Sequence, residues 1–133
     1  MRIRTFLLAL GLAGAGLTAC GDGGGGPNPV PGTLDVVLTN APVAPGAIMF
    51  AVSGGQITGV SSGYTMYQST TATNSRKVML TGDLIAGTVA QIQVPDVSKV
   101  DNYVVLVLQV AARSTAANPY QNMGSVNFDM DVQ

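Results

Sequence analysis

Ser125-Val126-Asn127-Phe128-Asp129-Met130-Asp131-Val132 alternates polar and apolar side chains at every step. Successive residues of an extended chain point to opposite faces, so Val126, Phe128, Met130 and Val132 fall on one side and Ser125, Asn127, Asp129 and Asp131 on the other. This is the pattern of a half-buried β-strand, and it decides the fold class because the same period of two recurs upstream. Leu34, Val36 and Leu38 share a face, as do Ile48, Phe50 and Val52, then Val78 and Leu80, then Ala90, Ile92 and Val94. Residues 56–60 and 64–68 are separated by Ser61-Ser62-Gly63, a length and composition that predict a hairpin. Pro95 ends the strand before it by withdrawing a ladder donor. Residues 102–111 form the longest and most apolar strand, whereas Ser69 to Ser75 carry no large apolar side chain and predict a polar loop. No segment repeats its apolar residues at helical spacing.

Short strands at regular spacing predict one antiparallel β-sandwich of about seven to nine strands, immunoglobulin-like or jelly-roll in kind, over residues 33–133. About one hundred residues suffice for a single core. If the alternation is carried through, Val37, Met49, Val89, Val105 and Val107 point away from that core, with Tyr103 and Gln109 at the margins. An outer face so apolar predicts a cover: a partner, a second copy, or the segment from Ser114 to Gly124.

The start of the chain reads differently. Arg2 and Arg4 precede an apolar run from Phe6 to Leu17, which leads through Leu17-Thr18-Ala19 into Cys20, the only cysteine. The run is too short to span a bilayer, which takes roughly 20 apolar residues. The four residues resemble the lipobox of bacterial lipoproteins, which implies a signal peptide over 1–19, cleavage before Cys20, and acylation of that thiol and the new amino group. Several acyl chains hold a protein on a membrane, since each buried methylene contributes about 0.8 kcal/mol. Residues 20–32 are Gly- and Pro-rich and read as a tether. The resemblance implies a lipid anchor in the cell membrane or the outer membrane, facing the periplasm or exterior, and Gly21, where enteric lipoproteins place an inner-membrane retention aspartate, favours the outer membrane where the organism has one.

Cleavage at that point leaves Arg76, Lys77, Lys99 and Arg113 against seven aspartates, a formal charge of −3. With no basic face to displace counterions, nucleic acid is not expected as a partner. The chain has no histidine and no glutamate, and its one cysteine is the lipidation site, which removes the commonest general base, the thiol nucleophile and most transition-metal ligands. Asn74 and Asp96 stand three residues before Lys77 and Lys99, so neither lysine completes a Ser-x-x-Lys pair. No enzyme is expected and no cofactor beyond the lipid. Asp96, Asp101, Asp129 and Asp131 are candidate Ca²⁺ ligands without a calcium-loop motif. Tyr64, Tyr67, Tyr103 and Tyr120 are candidates for sugar stacking, and Arg76-Lys77 for anionic headgroups or an acidic partner.

Gly46-Ala47-Ile48-Met49-Phe50-Ala51-Val52, followed by a Gly-rich turn and later by Asn102-Tyr103-Val104-Val105-Leu106, resembles cohesin-type and related carbohydrate-binding-module sandwiches. The resemblance implies a non-catalytic module. Taken with the lipobox, the expected function is a membrane-anchored protein-binding, adhesion or scaffold module of the cell envelope, the alternative being a carbohydrate-binding module.

Overall fold

The computed structural model of the protein describes residues 25–113 and 121–133. Nine strands follow in chain order: β1 Gly32–Asn40, β2 Pro45–Ser53, β3 Gly59–Ser61, β4 Thr65–Ala72, β5 Ser75–Thr81, β6 Gly87–Val94, β7 Val104–Ala112, β8 Asn122–Met123 and β9 Asp129–Val132. Two 3-10 turns, Val97–Asn102 and Ser125–Asn127, are the helical elements among the described residues. A four-stranded sheet in the order β3-β6-β1-β9 packs on a five-stranded sheet in the order β4-β5-β2-β7-β8, and every pairing is antiparallel. The chain is an all-β sandwich.

The core is the set of inward-facing residues that the period of two selects. Leu34, Val36 and Leu38 of β1 meet Ile48, Phe50 and Val52 of β2, with Val78 and Leu80 of β5 and Ile92 and Val94 of β6 filling the flanks. Phe50 is fully buried among aliphatic side chains, and burying each such side chain contributes about 1.5–3 kcal/mol.

Three sequence expectations are corrected. Segments 56–60 and 64–68 do not form a hairpin: β3 pairs with β6 in one sheet and β4 with β5 in the other, so Ser62-Gly63 is a crossing between sheets. The Ser62 hydroxyl holds that crossing by donating to the Val89 carbonyl at 2.6 Å and accepting from the Tyr64 N–H. Ser69 to Ser75 is no loop either. Its residues complete β4 and open β5 around a turn at Thr73-Asn74, because threonine suits an extended, solvated backbone although it offers nothing to bury. Val126 lies in the second 3-10 turn and is 87% exposed, whereas Phe128 and Val132 turn inward as the alternation predicts.

Candidate functional site

The two outer faces of the sandwich differ in chemistry. On the four-stranded sheet Asp35, Gln91, Gln93, Asp129 and Asp131 point outward, and Gln91 donates to the Asp35 carboxylate at 2.8 Å. On the five-stranded sheet the register aligns Tyr67 of β4 with Met79 of β5 and Met49 of β2, and beside that row Ala51 of β2 lies opposite Leu106 of β7. Tyr67 is 58% exposed and Val104 and Leu106 each 61%. Met49 and Met79 floor a shallow depression of about 340 Å³ closed by Ala47, Ala111, Gln109 and Thr81. A wet, flat, apolar face of this kind is what a contact surface presents.

The sequence anticipates such a face but assigns it to other residues. Met49 lies on it, with Gln109 at its margin. Val37 points outward from the opposite sheet, between Thr88 and Asp131, and is half-buried in polar surroundings. Val89 is buried, because the β1–β6 register skips it between Val36↔Ala90 and Val37↔Thr88, and this bulge turns Val89 and Ala90 inward together. Val105 and Val107 are half-buried against the core, and the side chains that point out are Val104 and Leu106. A second bulge, at Leu108 between Phe50↔Val107 and Met49↔Gln109, lets Val110 turn inward in its turn. Tyr103 is also a core residue, its hydroxyl donating to the Gln56 carbonyl at 2.9 Å. Burial, with the charge of Asp96 adding to it, raises the Tyr103 phenol above its ordinary value.

The other candidates disperse. Asp96 caps the 3-10 turn: its carboxylate accepts from the Ser98 hydroxyl at 2.7 Å, the Ser98 N–H at 3.1 Å and the Val30 N–H at 3.3 Å. The Ser98 hydroxyl is the main reason its pKa falls below the usual value, with the two N–H donors and Lys99 acting the same way and burial opposing. Asp129 lies beside Asn40, and the Asp131 carboxylate accepts from the Val132 N–H. Among the described residues no three acidic side chains gather as a metal site. Arg76 spends its guanidinium on carbonyls, those of Ile57 at 2.7 Å and Ala72 at 2.8 Å, and Lys77 alone of that pair is exposed. Tyr64 is half-buried beside a cleft, Tyr103 is internal, and among the described tyrosines only Tyr67 is exposed. The signal peptide 1–19, Cys20, Tyr120 and the segment 114–120 lie outside the described residues. No protein-family model, no curated protein and no solved structure matches the chain.

Proposed function

We propose that this chain is a bacterial lipoprotein of the cell envelope, anchored through Cys20, whose sandwich binds a protein through the outer face of the five-stranded sheet and performs no chemistry of its own. The observation that carries the reading is the contrast between the two faces. One is coated with carboxylates and amides, and the other sets Tyr67, Met79, Met49 and Leu106 side by side in water. Methionines adapt to differently shaped partners, and an exposed tyrosine supplies area at low entropy cost. The anchor is supported by Leu17-Thr18-Ala19-Cys20 and the Gly- and Pro-rich stretch that follows.

Two measurements test it. The native protein should give a mass spectrum with acyl chains on an amino-terminal Cys20, and an unmodified, uncleaved terminus refutes the anchor. A photo-reactive residue placed at Leu106 should capture a defined envelope protein in cells while the same group at Gln91 captures none. Equal yields from both faces refute the binding face.

A second reading, as a glycan-binding module, is favoured by a separate feature. A cleft of about 450 Å³ opens at the crossing between the sheets, where Ser61, Ser62, Thr88 and Gln91 offer polar groups beside Tyr64, Val89 and Ala90. Retention on insoluble polysaccharide that Tyr64→Ala abolishes would support it over the first.

A further inference from the structure

The five-stranded sheet has one edge that is left open. β4 runs eight residues, Thr65-Met66-Tyr67-Gln68-Ser69-Thr70-Thr71-Ala72, with seven register partners on β5 and none on its other side among the described residues. The remaining edges are short: β3 has three residues, β8 two, and β9 four, of which two are aspartates. Folded proteins blunt a long edge with lysine, proline, charge, a bulge or a cover, since a row of free N–H and C=O groups templates another strand; the one irregularity of β4, between Thr70 and Ala72, lies at its turn end and leaves Thr65 to Thr70 in unbroken register. β4 contains no charged residue and no proline. Its packing support is also slight, because Met66 is its only residue that is not exposed and the β5 ladder does most of the holding.

We infer that β4 is the contact by which two copies of this chain pair, edge to edge and antiparallel about a two-fold axis. The occupant of such an edge must itself be a strand, and a second β4 suits it in three respects. The strand is neutral, so self-pairing sets no like charges opposite one another. The nearest cation on the outer face, Lys77 of β5, lies one strand in. It would sit about three strand spacings, roughly 14 Å, from its counterpart, beyond a screening length of about 8 Å. The joined sheet carries the Tyr67–Met79–Met49 row across the junction, so the apolar face becomes continuous over both copies. A two-fold contact of this type closes on itself, yielding a dimer and no fibre. The inference stands independently of the lipid anchor and of the protein-binding face.

The test uses the full chain in mild detergent, its mass read by light scattering as it is diluted. The wild type should be a dimer that dissociates on dilution. Gln68→Lys combined with Thr70→Lys should raise the dissociation constant at least about tenfold while the far-ultraviolet dichroism stays β. Leu106→Lys, on the face but far from the edge, should leave the dimer intact. A wild type that is monomeric at every concentration overturns the inference, and so does a dimer lost in Leu106→Lys but kept in the double variant. Should the double variant fail to fold, amide hydrogen exchange on the wild type decides: β4 amides must slow as protein concentration rises, and exchange indifferent to concentration refutes the pairing.

Discussion

Asp96 ties three distant things together. Through one carboxylate it caps the turn that leads into β7, meets Lys99 at 3.9 Å, and holds the Val30 N–H, while the Val97 N–H returns a bond to the Val30 carbonyl at 2.8 Å. The domain therefore begins two residues before β1 formally starts. Because the folded state lowers this pKa below about 3.8, the stabilisation is present in full at neutral pH and is lost as pH falls through the folded value. Asp96→Asn should accordingly melt below the wild type at pH 7, and the gap should close below about pH 4; melting curves across pH check this. Tyr103 works with the opposite sign. Its raised pKa gives stability that is present below about pH 10 and lost above it, so Tyr103→Phe should be less stable at neutral pH by about 1 kcal/mol and should flatten the alkaline limb. Gly54 makes the close approach to this residue possible. At φ +128° it faces the Asn102 carbonyl, where an added Cβ would collide with backbone, so Gly54→Ala should cost at least about 2 kcal/mol in denaturant titrations.

At the scale of the strands, what the sequence reveals depends on whether polar residues mark the phase. In β1, β2 and β9 polar side chains alternate with apolar ones, or small residues with large, and the buried set follows. Val104-Val105-Leu106-Val107-Leu108 carries no such mark, so either parity looks equally buried, and the reading that sends Val105 and Val107 outward has nothing in the run to contradict it. The bulge at Leu108 hides the phase further, since it makes Val107 and Val110 both inward although they differ in parity. The bulge at Val89 has the same effect on β6, and the partners of β3 and β4 depend on contacts between sheets that no local pattern encodes. The observed phase has a direct consequence. Leu106→Lys should change stability by no more than about 0.5 kcal/mol, whereas Val107→Lys, which drives an unpaired charge toward the core, should cost several kcal/mol or prevent folding. Equal tolerance of the two in chemical denaturation would reverse the assignment. Arg76 is the other residue whose role only the fold discloses: Arg76→Met should loosen the β4–β5 turn from Ile57 and cost about 1.5–3 kcal/mol, read as a lower melting temperature.

For the molecule as a whole, the two ends of the sandwich are as unlike as its faces. The end from which residues 25–30 lead away carries Arg76, Lys77 and Lys99 beside Asp96 and Asp101, while Arg113 lies at the other end in an ion pair with Asp83. An anchor at Cys20 would put the Val97–Asn102 end toward the membrane. That orientation would leave the apolar sheet face standing perpendicular to the bilayer, open to a protein partner and to a second β4. It predicts that, in vesicles carrying the lipidated protein and an acceptor dye in the headgroups, energy transfer is stronger from a donor at Ser98, in the membrane-proximal turn, than from one at Ile85 in the opposite loop. Comparable transfer from both sites would mean that the sandwich lies flat. The surface against Tyr67, Met79, Met49 and Leu106 would then be lipid, and the protein-binding reading of that face would fall.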